Sequence, residues 1–299
     1  MISVCFLRNV LVGAAVLGLS GLGLAANGFQ LEPYKDRLFK YPAVLESKDK
    51  GAFLTIDYSK ERDLYKRDQI PERRVKGNYV STKPNRQQRG MTLTLDGNNV
   101  EAFEVGQPVG ARFAVIFVHG RGGDRNLGAK DWTFGGNFNR LKNLAVRNGG
   151  VYYVPTIPSF DSVGLDHLKT VVSHVRHSAP DAPLILACGS MGSVLCWESG
   201  KDKRIAKQLA GIVILGGTVD KSFRRSIAHS NRVPVLLAHG SADKVYDWRD
   251  QHKHYRRIRT GSGRIYPIRF VLFQDGSHGT PIRMVDWRDT INWILSNSG

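Results

Sequence analysis

Cysteine and acidic residues are scarce in this sequence, and recognised nucleic-acid-binding motifs are missing from it. Three cysteines among 299 residues are too few for a disulfide framework, so the fold must depend on its hydrophobic core. Acidic residues number 26 against 43 lysines and arginines, which gives a formal net charge of +17. Such an excess favours anionic surroundings, such as lipid headgroups, acidic polysaccharide or an anionic substrate, and without a motif we expect no nucleic-acid partner.

Internal repeats, low-complexity tracts and obvious linkers are also missing, which favours a single domain. With 41% hydrophobic residues, the chain is long enough to bury one large core. We expect an irregular lead-in over residues 27–50 and one domain over 51–299, with its core over 112–299.

The first 26 residues differ from the rest of the chain. Arg8 precedes an uncharged, largely apolar run over residues 10–26, and small residues around Ala25 offer a cleavage site. This pattern predicts a secretory signal peptide over residues 1–26 and a periplasmic or secreted mature protein. The alternative is an uncleaved segment that anchors the protein to the membrane.

The pattern of apolar residues changes near residue 112. Before it, short β-like stretches at 52–58, 78–82 and 91–105 predict strands, the last of them a hairpin. After it, continuous apolar runs alternate with helix-like stretches, which predicts an α/β fold: a mostly parallel sheet with helices on both faces and antiparallel strands at its N-terminal edge. The apolar runs are 113–118, 151–154, 184–187, 211–215, 234–238 and 268–273, and the helix-like stretches are 136–147, 162–177, 193–209, 221–229, 248–258 and 284–296.

Chemically reactive side chains follow several of these predicted strands. Ser190 lies between small residues, Cys188 and Gly192, which allow a strand to turn sharply into a helix and expose the serine hydroxyl. Asp243 and His278 follow two later strands, so the chain order is nucleophile, acid and base. A serine nucleophile needs a base to take its proton, and the base needs a carboxylate to orient it.

The two cysteines near Ser190 are not expected to pair. Cys188 lies in the predicted strand-to-helix turn and Cys196 in the helix after it, a geometry that makes a disulfide doubtful. We expect both to be buried thiols that pack as small apolar residues.

The segments HGRGGD (119–124) and GSADKV (240–245), together with the order of Ser190, Asp243 and His278, resemble the α/β-hydrolase superfamily. Within it, the sequence is similar to the small carboxylesterase, lysophospholipase and acyl-thioesterase branch over about residues 112–299. The resemblance implies a catalytic triad of Ser190, Asp243 and His278, and an oxyanion hole formed by the backbone N–H groups of Met191 and Arg121. It implies no cofactor.

Other acids and histidines are alternatives for these roles or have other expected roles. Asp220 is the alternative acid, because some hydrolases place the acid one strand earlier. Asp275 is expected to shape a turn, His239 to be structural and His119 to organise its loop. His174 with His177, and His252 with His254, lack further ligands at a recognisable spacing, so we expect no metal site.

These features predict an exported serine hydrolase that cleaves carboxylic esters or thioesters through an acyl-enzyme on Ser190. The expected partners are a small acyl-ester or lipid-like substrate and an anionic envelope surface, while the oligomeric state stays open. The alternative is a non-catalytic envelope-binding protein that uses a hydrolase fold and its basic surface.

Overall fold

The structure is a computed structural model that describes residues 28–260 and 265–299. The predicted signal peptide lies outside the described residues. Among the described residues, no helix combines the length and the apolar character needed to cross a membrane.

Strands and helices alternate through most of the described chain. The strands are β1 (Val44–Lys48), β2 (Phe53–Ile56), β3 (Asp68–Ile70), β4 (Arg74–Val75), β5 (Gln88–Leu95), β6 (Asn98–Gly106), β7 (Ala114–Val118), β8 (Val151–Pro155), β9 (Leu184–Gly189), β10 (Leu209–Leu215), β11 (Val235–Gly240) and β12 (Ile268–Phe273). The α-helices are α1 (Asp36–Phe39), α2 (Arg125–Ala129), α3 (Asn137–Arg147), α4 (Ser162–Ser178), α5 (Ser193–Lys201), α6 (Lys203–Ala206), α7 (Ile227–Ser230), α8 (Trp248–Thr260), α9 (Thr280–Met284) and α10 (Trp287–Asn297).

Within the described residues, one ten-stranded sheet organises the fold, in the order β1-β2-β12-β11-β10-β9-β7-β8-β6-β5. From β2 to β8 in this order, each strand is parallel to the next one. β6 and β5 are antiparallel at one edge, and β1 is antiparallel to β2 at the other. The α/β prediction with a mostly parallel sheet and an antiparallel N-terminal edge is therefore confirmed.

Helices cover both faces of the sheet. On one face α4, α5 and α8 pack over a core that includes Leu168, Leu195 and Tyr255, and on the other α3 and α10 pack over a core that includes Phe138 and Ile294. Both faces are apolar because the central strands are buried on both sides, as the continuous apolar runs predicted.

Three expectations for the N-terminal half need correction. The lead-in over 27–50 is not wholly irregular, since it contains α1 and the edge strand β1. The strand predicted over 52–58 forms β2 at the edge opposite the β5–β6 hairpin, where it pairs in parallel with β12. Residues 78–82 form no strand, because the chain there makes a 3₁₀ turn over Gly77–Tyr79.

Candidate active site

The parallel topology brings Ser190, Asp243 and His278 to one edge of the sheet. They follow the carboxyl ends of β9, β11 and β12, and these strands lie within four consecutive positions of the sheet. Loops at this edge of a parallel sheet are where α/β proteins place binding and catalytic groups.

A short hydrogen-bonded chain connects the three side chains. His278 Nε2 lies 2.8 Å from the Ser190 hydroxyl oxygen, and His278 Nδ1 lies 2.8 Å from Asp243 Oδ2. A carboxylate only accepts hydrogen bonds, so Nδ1 donates its proton to Asp243 and leaves Nε2 free to accept one from Ser190. This is the arrangement that general-base activation of a serine requires.

The backbone at Ser190 adopts the left-handed conformation, with φ of 50°. This conformation costs a non-glycine residue free energy, on the order of 1 kcal/mol or more, and such strain is typical of a serine on a strand-to-helix elbow. The elbow also depends on Gly192, because a Cβ atom there would overlap the backbone carbonyl of His119.

Asp243 is held by four hydrogen bonds although its side chain is fully buried. The backbone N–H groups of Val245 and Tyr246 donate to Oδ1 at 2.7 and 3.2 Å, while His278 and His239 contact Oδ2 at 2.8 and 3.2 Å. Burial by itself would raise the pKa of Asp243, but the hydrogen bonds from His239, His278 and the Val245 N–H outweigh it and hold the pKa well below its usual value. Asp243 is therefore charged at neutral pH.

His239 is the residue of this site that the sequence expectations described least. Its Nε2 donates to the backbone carbonyl of Tyr246 at 3.0 Å and lies close to Asp243 Oδ2, so it braces the loop that carries the acid. The sequence signal for this contact is the four-residue spacing between His239, within β11, and Asp243, just after it.

Asp220, the alternative acid, has other partners. Its carboxylate accepts from the Ser222 N–H and hydroxyl at 2.9 and 2.7 Å and pairs with Lys201 at 2.9 Å. The structure thus brings Asp243, and not Asp220, into contact with His278.

The loop after β7 lies against Ser190. A Cβ atom at Gly120 would come within 2.9 Å of the Ser190 Cβ, so this glycine permits the close approach. His119 orders the loop: its Nδ1 donates to the Gly120 carbonyl at 2.8 Å and its Nε2 accepts from the Ile157 N–H at 3.0 Å. Arg121, the residue after Gly120, is exposed, and Met191, the residue after Ser190, is half-buried.

A disulfide between Cys188 and Cys196 crosses the elbow, so the expectation of two buried free thiols was wrong. Cys188 is the last residue but one of β9, and Cys196 lies on the first turn of α5. The sharp turn at Ser190 brings their Cα atoms to 6.2 Å, within the usual range for a disulfide. The pairing could not be predicted from the sequence, because it depends on the elbow folding α5 back beside β9.

The histidine pairs considered for metal binding lie elsewhere. His252 packs among aromatic rings, including Phe53 and Tyr255, and His254 packs against Trp197. Within residues 28–260 and 265–299, no group of three or more His, Cys, Asp or Glu side chains is placed to hold a metal ion.

Comparison with known proteins gives weak sequence similarity and clear structural similarity. No family model matches the chain. The uncharacterized protein YfhR of Salmonella typhimurium is 29% identical over 210 residues, which cover 58% of this chain and 66%, just under two thirds, of YfhR.

Among solved structures, the esterase Pf2001 of Pyrococcus furiosus aligns with a TM-score of 0.56 at 13% identity, over 77% of this chain and 98% of the esterase. An alpha-beta serine hydrolase homologue from Coxiella burnetii aligns with a TM-score of 0.50 at 15% identity, over 71% and 97% of the two chains. The chain therefore has the fold of the α/β-hydrolase superfamily.

Proposed function

We propose that this protein is a serine hydrolase that cleaves carboxylic esters or thioesters. The observation that carries the proposal is the hydrogen-bonded chain from Ser190 through His278 to Asp243, built on a strained elbow. The esterase and the serine hydrolase homologue named above share the fold, which supports the same reaction class.

In this proposal, Ser190 attacks the acyl carbon while His278 takes its proton at Nε2. Asp243 holds Nδ1 protonated and stabilises the imidazolium that forms. His278 then gives the proton to the leaving group, and water attacks the acyl-enzyme through the same histidine. The backbone N–H groups of Met191 and Arg121 are proposed to bind the oxyanion, with each donor contributing on the order of 3 kcal/mol to transition-state stabilisation.

Two cavities beside the proposed site offer room for the two halves of an ester. A cavity of about 670 Å³ lies along the Gly122–Gly123 backbone and is walled by Phe103, Leu127 and Phe134. A second cavity, of about 260 Å³, contains His278 and shares Phe134 with the first. We assign the acyl group to the first cavity because it borders the proposed oxyanion loop, and the leaving group to the second because His278 must reach the leaving oxygen.

Labelling with a fluorophosphonate probe tests this proposal, with the Ser190→Ala variant as the matched control. We expect strong labelling of the wild type and none of the variant, and hydrolysis of nitrophenyl esters then defines the acyl length. A folded wild type that neither labels nor cleaves these esters would favour the non-catalytic envelope-binding alternative.

We also propose that the protein is exported. The N-terminal pattern supports this, and so does the Cys188–Cys196 disulfide, since disulfides persist in oxidising compartments. Cell fractionation with thiol trapping and N-terminal sequencing tests it. A cytoplasmic protein with reduced cysteines would contradict the proposal, and a membrane-bound protein with an intact N-terminus would favour the anchor.

A further inference from the structure

The 260 Å³ cavity that contains His278, called the His278 cavity below, is lined by charged and aromatic side chains. Besides His278 and Gly279 it is lined by Tyr58, Glu72, Phe134, Ser277, Thr280 and Arg283. A carboxylate and two aromatic rings thus border the space beside the imidazole that must protonate the leaving group. Carboxylates and aromatic rings are the groups that bind organic cations in proteins.

The fold places Glu72 there by a defined set of contacts. Glu72 lies in the turn between β3 and β4, and its backbone has φ of 61°. Its N–H donates to Asp68 Oδ2 at 2.9 Å, and both oxygens of Asp68 accept from the buried Arg283, at 2.9 and 2.7 Å. The turn is therefore fixed to the cavity wall in a conformation that a non-glycine residue adopts only at a cost.

Glu72 and Arg283, the two oppositely charged residues of this wall, differ in their partners. Arg283 is neutralised by Asp68, and Arg62 pairs with both Asp57 and Asp63. Of the two charged side chains that line the cavity besides His278, Arg283 is thus paired, which leaves the Glu72 carboxylate available to a ligand. Among the described residues, the Glu72 carboxylate has no ion pair and no hydrogen bond. Burial raises the pKa of the Tyr58 hydroxyl, and the nearby negative charge of Glu72 also raises it.

We propose that the His278 cavity binds an ammonium group on the leaving alcohol of the substrate, with Glu72 supplying the countercharge and Tyr58 and Phe134 supplying aromatic rings. The inference rests on the proposed ester hydrolysis and names the substrate class of that site: esters of cationic amino alcohols. Glu72 would be a specificity residue, and the chemistry at Ser190 would be unchanged.

Two esters of the same shape test the proposal: acetylcholine and its uncharged isostere 3,3-dimethylbutyl acetate. We expect the wild type to prefer the choline ester about tenfold in kcat/KM, a factor typical of one partly desolvated cation site. Glu72→Gln should lower this ratio several-fold, to the smaller preference that the Tyr58 and Phe134 rings provide without the countercharge.

The matched control is Glu32→Gln, which makes the same change in charge at an exposed residue outside the cavity. It should keep the preference for the cationic ester. Because the net positive charge repels cations at long range, the assays are run at about 0.15 M salt, where repulsion beyond about 8 Å is largely screened but contact with Glu72 is not.

Calorimetric titration with choline and with 3,3-dimethylbutanol supplies a readout that needs no catalysis. Choline should bind the wild type and Ser190→Ala more tightly than the neutral alcohol does, and Glu72→Gln should reduce the difference several-fold. Equal rates and equal binding for the charged and neutral members of each pair would overturn the inference and leave the hydrolase proposal intact. Failure of fluorophosphonate labelling would instead overturn the hydrolase proposal.

Discussion

Asp243 and Asp220 both follow central strands of the sheet, and their contacts separate their roles. Asp243 touches His278, whereas Asp220 is occupied by Ser222 and Lys201. We predict that Asp243→Asn lowers kcat on a nitrophenyl ester by about 10⁴-fold, because an amide stabilises the wrong tautomer of His278.

Asp220→Asn is the control for this prediction, since it makes the same chemical change one strand away. Its kcat should stay within about threefold of the wild type. Steady-state kinetics of the two variants side by side decides between the acids, and a comparable loss in both would contradict the assignment.

The low pKa of Asp243 also has a consequence for stability. Burial opposes ionisation, yet hydrogen bonds from His239 and His278 leave the folded pKa below the unfolded value of about 3.9. A carboxyl with a lowered pKa stabilises the fold above its unfolded pKa, and this contribution is lost as the pH falls through the folded pKa. We predict that the free energy of unfolding falls more steeply below about pH 4 in the wild type than in Asp243→Asn.

Urea denaturation at pH 6, 4 and 3 measures the effect. Comparing each protein with itself at pH 6 removes the constant cost of the substitution. If the free energy of unfolding of the two proteins changes with pH in the same way, folding does not lower the pKa of Asp243, and the prediction is wrong.

At the scale of elements, the disulfide fastens α5 to the end of β9 on either side of Ser190. It closes a loop of eight residues, for which the chain-entropy estimate of its stabilisation is about 2.5 kcal/mol. We predict that Cys188→Ala with Cys196→Ala lowers the free energy of unfolding by about that amount and lowers kcat more than it changes KM, because the substitutions loosen the elbow that orients the nucleophile.

Urea unfolding and ester kinetics of the double variant, compared with the oxidised wild type, test this. Thiol titration of the denatured wild type provides the control, since Cys188 and Cys196 should not react before reduction. Two reactive thiols at these positions in the purified protein would contradict the disulfide.

The parallel core could be predicted from sequence because each apolar run is continuous and bounded by turn residues. β9 and its elbow, for example, follow from Leu184–Ala187 and the small residues around Ser190. Contacts that depend on how distant elements meet could not be predicted in this way. The Cys188–Cys196 bond needs the angle between β9 and α5, and the place of Glu72 needs Arg283 to bind Asp68, more than two hundred residues away in the chain.

At the scale of the whole molecule, the lysines and arginines behind the net charge of +17 differ in their burial and in their partners. Within the stretch 60–89, Arg67 is buried against Phe39 and Tyr79, and Arg89 pairs with the buried Glu104. Within 249–269, Arg259 pairs with Asp49 and Arg269 with Asp289, whereas Arg256 and Arg257 on α8 are exposed. Apart from Arg67, the lysines and arginines of 60–89 are exposed, and on α8 the exposed bases include the adjacent pair Arg256 and Arg257 on one turn.

We propose that this turn of α8 contributes to binding an anionic envelope surface, the partner that the composition favours. Each lysine or arginine close to an anionic bilayer contributes about 1 kcal/mol at moderate salt. We therefore predict that Arg256→Gln with Arg257→Gln weakens binding to phosphatidylglycerol vesicles by about tenfold or more, measured by sedimentation at low ionic strength.

Lys203→Gln with Lys207→Gln makes the same change in net charge at exposed positions outside both basic stretches and should weaken binding less than about threefold. If both pairs weaken binding equally, the attraction comes from total charge and not from α8. If the wild type does not bind these vesicles even at low salt, the positive surface has no affinity for an anionic bilayer, and the proposed role of this turn of α8 in membrane binding is wrong.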